Sequence, residues 1–575
     1  MTPFAAPSAV AARADTVRAD TRKRLRNDTF DVLVVGGGIT GAGVALDAAS
    51  RGFSVAIVEK GDWASGTSSK SSKLVHGGLR YLQQKEYRLV YENLRERQRL
   101  LRNAPHLVRV MPFLIPLFGK QGAVSKTVAK AYSTALTLYD LTGGWRIGKF
   151  HRRLSVAETM AHMGGLSKGR VAAGFLYFDA QADDARLTLA LVRTAEDHGA
   201  VALNHCGVQS FTTSSAGKLT GARLENGDDV KARCVVNATG VWSAQVAALA
   251  GDVSFSIRPA KGIHVVVPYD KIRADIAAVV PVRSDKRSVF VVPAFDSPGR
   301  DHAAGTVDAT PDRIYIGTTD TDYDGPLDTP VCTQADIRYL LEAMNDWLEE
   351  PLTEADVLGT WAGLRPLLSE ATNTRTADLS RRHKVVRGPS DLVSILGGKL
   401  TTYRQMAEDT VDAAAQVLGR PVRCRTARLR LRGGSGLEAM GEPGAAARLG
   451  ISESLLAHLV GRYGSEAPAV IALLREDPSL SDPLVEGLAY IRAEVVHAAR
   501  LEHARTVEDV LARRTRALLF DVEAAAKAAA DTAALLAREL GWSSVDVEVE
   551  LTCFAAIIRA ERSALASHTM PAGSP

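Results

Sequence analysis

The sequence predicts an α/β protein in which a Rossmann-type nucleotide-binding domain precedes a helical C-terminal domain. Three observations support this fold class. A strand, a glycine-rich turn, a helix and a second strand follow one another from residue 30. Apolar β-branched runs recur in the middle of the chain, and residues 445–531 are dominated by Ala, Leu, Glu and Arg at helical spacing. At 575 residues the chain is long enough for roughly three or four domains and a large core.

The composition excludes several other classes of protein. Hydrophobic residues make up 46% of the chain and charged residues 23%, which excludes a disordered, collagen-like or coiled-coil chain. No run of apolar residues is long enough for a transmembrane helix. The net charge of +5, from 70 basic and 65 acidic residues, is too small to indicate a nucleic-acid partner. A local cluster of cations could still face a membrane.

The cysteines and the termini give no sign of a metal site or a secretory signal. The cysteines are odd in number and far apart, and none has the spacing of a zinc site, so reduced thiols in a cytoplasmic protein are expected. Residues 1–27 lack an apolar core and are interpreted as a basic N-terminal arm or a helix leading into the first strand. Asp15 and Asp20 argue against a mitochondrial transit peptide, and residues 566–575 are expected to be a frayed tail.

The first βαβ unit predicts a bound dinucleotide. A buried strand at 30–35 leads into Gly36, Gly38 and Gly41, which have GxGxxG spacing and open a helix that reaches residue 51. These glycines permit a tight turn, close approach to a pyrophosphate and close helix packing, and the helix N-terminus faces the phosphates. The second strand ends at Glu59, which is placed to accept hydrogen bonds from the adenosine ribose. The unit therefore predicts NAD or FAD, with a structural glycine-rich turn as the alternative.

Three later segments favour FAD. The hydroxyl-rich loop at 67–73, followed by glycines, suits the ribityl and isoalloxazine half of FAD, although an ordinary polar loop is the alternative. A strand running into the small-residue turn at 238–240 resembles the turn by which flavoproteins return to the dinucleotide. Residues 396–403 open a predicted helix whose free N–H groups suit the pyrimidine end of a flavin. The predicted cofactor-binding residues are Gly36, Gly38, Gly41, Glu59, Lys60, Thr67, Ser68, Ser72, Leu74, His76, Gly77, Ala238, Gly240, Gly398, Lys399, Leu400 and Thr401.

Five further segments have distinctive sequences. They are SKLVHGGLRY at 72–81, IGTTD at 316–320, GLRPL at 363–367, GGKLTTYR at 397–404 and EDVLARRTR at 508–516. Together they resemble the family of FAD-dependent, quinone-linked glycerol-3-phosphate dehydrogenases, in the family's order, and the resemblance runs from about residue 30 to about residue 520.

The resemblance implies an activity and a refined fold. The activity is oxidation of sn-glycerol 3-phosphate to dihydroxyacetone phosphate by hydride transfer to non-covalent FAD, with electrons passed to a membrane quinone. A glycerol-3-phosphate oxidase that uses oxygen and releases hydrogen peroxide is the alternative. The implied fold is a glutathione-reductase-type FAD-binding Rossmann domain with an inserted sheet-based substrate domain and a helical C-terminal domain.

A phosphate dianion as substrate requires cations in the site. The candidates lie in or near the family motifs: Arg80, Arg365, Arg381 and Lys399. A surface side chain is the alternative for each, most of all for Arg80 and Arg381. An amino-acid oxidase would instead need a carboxylate clamp beside an apolar pocket, and an idle flavoprotein scaffold would not need these cations together.

Oxidation at C2 of the substrate also requires a proton acceptor, and histidine suits this role because its ordinary pKa is near 6.5. By the resemblance, His264 corresponds to a histidine beside the substrate, and it is the candidate base, with a buried core histidine as the alternative. His264, Arg365 and Lys399 form the predicted catalytic set. His76 is a weaker candidate base, and Thr318, Thr319 and Asp320 are expected to shape the site.

The predicted domains follow these segments. They are the FAD domain (28–115, 170–260 and 355–420), an amphipathic, membrane-facing insertion (116–169), the substrate domain (261–354), a linker (421–435) and the helical domain (436–565).

A membrane-docking segment is predicted at about 110–140. Residues 110–118 are apolar and contain two prolines, which oppose a regular helix, and lysines follow in an amphipathic stretch. Such a segment suits a monotopic anchor on an anionic membrane, with a core-packing helix as the alternative. The expected location is the inner face of the cell membrane, the expected partners are glycerol 3-phosphate and a quinone, and a homodimer is left open.

Overall fold

The computed structural model describes residues 11–79, 86–119, 126–285, 287–294, 312–368 and 383–565. Within these residues the chain forms two sheets with flanking helices and a helical C-terminal domain that has its own hydrophobic core. The predicted α/β class with a helical C-terminal domain is confirmed. Arg80 and Arg381, two of the predicted phosphate-binding residues, lie outside the described residues, as does the predicted tail at 566–575.

The described strands are β1 (Thr29–Val35), β2 (Val55–Val58), β3 (Leu74–Val75), β4 (Val108–Phe118), β5 (Arg152–Leu154), β6 (Val171–Ala182), β7 (Val201–Leu203), β8 (Val208–Thr213), β9 (Leu219–Leu224), β10 (Asp229–Asn237), β11 (Ile257–Pro268), β12 (Ala277–Pro281), β13 (Ser288–Ala294), β14 (Arg313–Gly317), β15 (Thr321–Asp322), β16 (Gly359–Leu368), β17 (Lys384–Arg387) and β18 (Val393–Leu396). The described α-helices are α1 (Ala11–Asn27), α2 (Ile39–Ser50), α3 (Tyr87–Asn103), α4 (Lys126–Thr142), α5 (Val156–His162), α6 (Asp184–Asp197), α7 (Ser243–Leu249), α8 (Tyr269–Ile272), α9 (Gln334–Asn345), α10 (Tyr403–Val417), α11 (Ala445–Leu449), α12 (Glu453–Tyr463), α13 (Ala467–Glu476), α14 (Arg492–Leu501), α15 (Ala517–Phe520), α16 (Val522–Leu540) and α17 (Ser544–Leu565).

The first sheet is the nucleotide-binding sheet, and its central strands are parallel. The order is β17-β18-β10-β1-β2-β7, with β9 and β8 continuing from β10. Val35, at the end of β1, lies opposite Val58 of β2 and Asn237 of β10. The carboxyl ends of these strands therefore meet at one edge, which is where open α/β sheets bind their ligands.

The second sheet is mostly antiparallel and lies beyond that edge. Its order is β15-β11-β14-β13-β12-β4-β6-β3, with β16 paired to β11 and β5 paired to β6. The predicted strands at 264–267, 288–292 and 313–316 all belong to it, within β11, β13 and β14.

The structure corrects the interpretation of residues 110–118. They form most of β4, which lies between β6 and β12, rather than an apolar loop on a membrane. Phe113 and Leu114 are neighbours that face opposite sides of the sheet, and both are fully buried, in two different hydrophobic clusters. The run is continuously apolar because both faces of the strand are covered by protein.

The second sheet takes its strands from both sides of the predicted domain boundaries. The second sheet takes strands from 74–75, 108–118 and 152–182 as well as from 257–368. Parts of 28–115 and 170–260, which the sequence assigned to the FAD domain, therefore supply β3, β4 and β6 to the second sheet. The sequence gives no local sign of which distant strands pair, because each strand taken alone is only an apolar run.

The N-terminal helix is docked on the nucleotide-binding domain. Within the predicted arm, α1 buries Leu25, and Arg18 donates to the carbonyl of Asn204 (2.8 Å). Arg22 pairs with Asp228 at 2.9 Å. In the described part of the chain, no helix combines the length and the hydropathy that crossing a membrane requires.

Candidate active site

A cavity of about 550 Å³ lies where the carboxyl ends of β1, β2 and β10 meet the second sheet. Most of the predicted cofactor-binding and catalytic residues that the structure describes line it: Gly36, Gly38, Glu59, Lys60, Thr67, Ser68, Ser72, Leu74, His76, Ala238, Gly240, His264, Arg365, Gly398, Lys399, Leu400 and Thr401. Gly41 and Gly77 are not in its lining. One cavity therefore joins the dinucleotide motif to the predicted catalytic residues.

The glycines of the first turn are required by close contacts between backbone segments. Gly36 has a φ of +106°, and a Cβ added there would lie 2.8 Å from the carbonyl oxygen of Ala238. A Cβ at Gly41 would lie 1.9 Å from the carbonyl oxygen of Gly36, so Gly41 serves the packing of α2 on the turn. The turn at 36–41 and the turn at 238–240 are in direct contact. Because the glycines of the first turn have no side chains, there is room for a dinucleotide backbone.

Glu59 is held in a fixed orientation at the end of β2. Its Oε2 accepts a hydrogen bond from the N–H of Gly37 (2.6 Å), and its Oε1 accepts one from the N–H of Gly61 (2.8 Å). Burial raises the pKa of this carboxyl group, while the two hydrogen bonds oppose the rise. Each oxygen keeps a further acceptor position, which suits a ribose hydroxyl.

The hydroxyl-rich loop and the 396–403 segment are brought together at the same cavity. Thr67 donates to the carbonyl of Leu364 (2.5 Å), which ties the loop to β16. The N–H of His76 donates to Thr401 (3.2 Å), which links β3 to the turn before α10. Gly77 instead donates its N–H to Asp179 and the Tyr139 hydroxyl, away from the cavity.

Trp242 shows that the cavity fits a polar ligand near the dinucleotide turn. Sequence reasoning did not assign it, although it directly follows the 238–240 turn. Its indole lines the cavity, and its buried Nε1 has no hydrogen-bond partner within the described structure. Because a buried indole N–H normally finds an acceptor, this atom is consistent with a cofactor that supplies one.

His264 lies on β11 in the cavity wall and is about 2% exposed. Its Nε2 is 2.8 Å from the hydroxyl of Ser72, and its ring stacks on Trp361 with 4.6 Å between the ring centroids. Burial, reinforced by the charges of Arg365 and Lys73, lowers the pKa of His264 well below its usual value of 6.5. The imidazole is therefore uncharged at pH 7, and the same effects make it a weaker base than a free histidine.

Arg365 lies on β16, beside β11, and is held from several directions. Nη1 donates to Asp320 (2.9 Å), and Nη2 donates to the hydroxyl of Thr318 (3.2 Å). The carbonyl of Thr319 accepts from both nitrogens at 3.3 Å. A Cβ at Gly262 would lie 2.6 Å from Nη2, so a glycine there leaves space for the guanidinium. These contacts give a cation of fixed orientation in the cavity wall.

A separate cluster has the composition of a metal site but is already charge-balanced. Potential ligand atoms of Asp62, His205 and Asp509 lie within 4.8 Å of one another. Arg513 donates to Asp62 (2.7 Å) and to Asp509 (2.6 Å), and Arg514 donates to Asp62 (2.9 Å). With two guanidinium groups on these carboxylates, the cluster is an ion-pair network between domains.

The fold and the cavity define the class of protein, an FAD-dependent oxidoreductase. The family model described as "FAD dependent oxidoreductase" matches residues 31–403. The model of the "C-terminal domain of alpha-glycerophosphate oxidase" matches residues 424–547.

Known relatives narrow the class to one family. The chain is 40% identical over 556 residues to "Glycerol-3-phosphate dehydrogenase 2" of Mycobacterium tuberculosis, covering 95% of this chain and 90% of the relative. It is 35% identical over 551 residues to the mitochondrial glycerol-3-phosphate dehydrogenase of Mesocricetus auratus, covering 91% of this chain and 72% of the relative. The glycerol-3-phosphate dehydrogenase of Bacillus halodurans, solved in complex with FAD, matches with a TM-score of 0.77 and 30% identity over 96% of this chain and 98% of that chain. The chain belongs to the family of FAD-dependent glycerol-3-phosphate dehydrogenases, as its motifs predicted, and its cofactor is FAD.

Proposed function

We propose that this protein oxidises sn-glycerol 3-phosphate to dihydroxyacetone phosphate and passes the electrons to a membrane quinone. The observation that carries the proposal is the single cavity that connects the dinucleotide turns to His264, Arg365 and Lys399. The relatives named as glycerol-3-phosphate dehydrogenases support the choice of substrate. When bound, FAD supplies the hydride acceptor of the reaction.

The residues of this chain have complementary roles in the proposed reaction. Arg365, fixed by Asp320, binds the phosphate dianion through its fork of N–H donors, and Lys399 adds a second cation. Arg80 and Arg381 remain predicted contributors to the same phosphate site. Neutral His264 accepts the proton of the C2 hydroxyl, and its stacking on Trp361 keeps the imidazole in one orientation.

We also propose that the protein docks on the inner face of the cell membrane, where the quinone is found. The surface in question, called the aromatic patch, consists of Tyr87, Tyr91, Leu141 and Phe150, all exposed. Arg146 donates to the Tyr91 hydroxyl (3.3 Å), so the turn after α4 packs against α3. Exposed cations from the same stretch are Arg88, Lys130, Arg152 and Arg153. Exposed apolar side chains and exposed cations on one stretch of the chain suit an anionic lipid surface.

The test of the proposed reaction is anaerobic reduction of the purified yellow protein by glycerol 3-phosphate. The flavin absorbance is expected to bleach, and a quinone is expected to restore it faster than oxygen does. Reoxidation by oxygen as fast as by quinone would favour the oxidase, and the absence of bleaching would overturn the proposal. His264→Asn is expected to slow bleaching by about 10²-fold or more, since general base catalysis contributes about 10²–10⁴-fold. His198→Asn, at an exposed position, is the matched control.

A further inference from the structure

A buried ion pair lies next to His264 and has no role in the reaction proposed above. The Nζ of Lys73 is 2.7 Å from Oδ1 of Asp184, and both side chains are fully buried. Lys73 also donates to the carbonyl of Ser69 (3.0 Å). Since a buried ion pair adds little stability over an apolar pair of similar volume, its presence beside the cavity calls for another explanation.

The pair anchors the hydroxyl-rich loop at 67–73, called the serine loop below. Oδ2 of Asp184 accepts hydrogen bonds from the N–H of Ser71 (3.1 Å) and from its hydroxyl (2.7 Å). On the other side of the loop, Nε1 of Trp361 donates to the carbonyl of Ser71 (3.2 Å), and the hydroxyl of Tyr315 donates to the carbonyl of Ser72 (3.1 Å). The residues on either side of Ser72, Ser71 and Lys73, are therefore both held in place. The Ser72 hydroxyl is hydrogen-bonded to Nε2 of His264.

The pair also places a positive charge close to the imidazole. Nζ of Lys73 lies 5.3 Å from the ring centroid of Trp361, the residue on which His264 stacks. The titratable and charged groups that face His264 from the elements around it are Lys73, Arg365 of β16 and Tyr315 of β14, whose ring centroid is 6.1 Å from that of His264. Both cations disfavour protonation of His264.

We propose that the Lys73–Asp184 pair is a positioning element for His264, which fixes the Ser72 hydroxyl on Nε2 and keeps a cation near the ring. The pair acts on the proton acceptor through Ser72 and through its charge, without contact with the substrate. This inference rests on the proposed function of His264. It explains why an ion pair, rather than an apolar pair, lies under the serine loop.

The test replaces the pair by neutral side chains of similar volume, in Lys73→Met/Asp184→Asn. The amide oxygen of Asn can still accept the hydrogen bonds from Ser71, so the loop keeps its anchor. We expect FAD to be retained and the affinity for glycerol 3-phosphate to stay within about threefold. In the pH profile of the flavin reduction rate, the acid limb should move to higher pH by about one unit. The reason is that the imidazole protonates at a higher pH without the Lys73 cation.

A titration of His264 gives a readout that does not depend on catalysis. NMR of the ¹⁵N-histidine-labelled holoenzyme, with the signal assigned by its loss in His264→Asn, should show the same upward shift in the double variant. Asp184→Asn alone should shift the His264 titration downward, since Lys73 then lacks its counter-ion. General loosening of the loop could not produce opposite shifts in the two variants, so this comparison separates charge from structural damage.

The matched control is Arg186→Met/Glu502→Gln. It removes a buried bidentate pair in which Arg186 of α6, the helix that also carries Asp184, donates to the two carboxylate oxygens of Glu502 in the C-terminal domain at 2.9 and 2.7 Å. Its His264 titration and acid limb should equal those of the wild type. An unshifted titration in Lys73→Met/Asp184→Asn, or an equal shift in the control, would overturn the inference. If glycerol 3-phosphate fails to bleach the wild type while the titration still shifts, the proposed function fails and the positioning of His264 by the pair stands.

Discussion

His264 fits in the cavity wall because the residue opposite it on β14 is a glycine. Gly317 is the register partner of His264, and a Cβ added there would lie 2.1 Å from Cδ2 and 2.6 Å from Nε2 of the ring. The imidazole has little room to retreat, since Trp361 stacks on it and Ser72 is hydrogen-bonded to Nε2. The orientation of the proposed base thus depends on the absence of one methyl group.

Gly317→Ala is expected to retain FAD and the fold but to slow flavin reduction by glycerol 3-phosphate by about 10²-fold, because misplacing a reacting group by about 1 Å can cost this much. Stopped-flow absorbance under anaerobic conditions measures the rate. Gly169→Ala is the control, since a Cβ there has no atom within 4 Å. A wild-type rate in Gly317→Ala would mean that the ring tolerates displacement.

The strands and helices that could be predicted from the sequence were those supported by local spacing. The βαβ unit with Gly36, Gly38 and Gly41 and the helical C-terminal domain follow from patterns within a few tens of residues. The position of β4 depends on pairing with β6 and β12, and the Lys73–Asp184 pair joins residues 111 positions apart. Neither the position of β4 nor the ion pair produces a local sequence pattern, because the sequence alone does not show whether an apolar or charged residue is buried or what it contacts.

For the candidate active site, the family motifs identified some residues that local sequence patterns could not. Arg365, Lys399 and His264 were selected because their segments resemble a known family, and the fold places all three in one cavity. Trp361 and Asp184 were missed because nothing in their sequence surroundings distinguishes a residue that supports a site from one that fills a core. Such roles become visible only through contacts.

Helices α3 and α4 supply most of the surface that we propose to contact lipid. The apolar residues of β4 are unavailable for this purpose, whereas Leu141 is 72% exposed and Phe150 is 62% exposed. Leu141→Ser/Phe150→Ser should weaken binding to anionic lipid vesicles by about tenfold or more, because full burial of one such side chain is worth about 1.5–3 kcal/mol. Sedimentation of the protein with vesicles at increasing lipid concentration measures the effect.

The control for this surface is Val253→Ser/Val545→Ser, which removes two exposed apolar side chains elsewhere. Its binding should match the wild type. Binding of the wild type should also fall in zwitterionic vesicles and at high salt, since the exposed cations of the same stretch contribute through electrostatic attraction that salt screens. Equal sedimentation of both double variants would exclude the aromatic patch as the contact surface.

The C-terminal domain contacts the loop that supports the dinucleotide turn. Asp62 follows β2 and accepts hydrogen bonds from Arg513 and Arg514 of the C-terminal domain. Its neighbour Trp63 donates to His503 (2.9 Å), and a Cβ at Gly37 would lie 2.4 Å from the Trp63 ring. Docking of the helical domain and the shape of the FAD site are therefore linked through one short loop.

Asp62→Asn is expected to destabilise the protein by about 3–5 kcal/mol, because it leaves the buried Arg514 guanidinium without its hydrogen-bonded carboxylate, whereas Arg513 keeps Asp509. In a urea series, flavin release, followed by fluorescence, and loss of helix, followed by far-UV circular dichroism, should both occur at lower urea than in the wild type. Asp62→Asn/Arg514→Met should recover part of the loss, since it removes one unpaired charge. Glu486→Gln, which breaks an exposed pair with Lys527, should change the midpoint little. If Asp62→Asn released FAD at the wild-type urea concentration while the helical domain unfolded early, the loop would not transmit docking to the cofactor site.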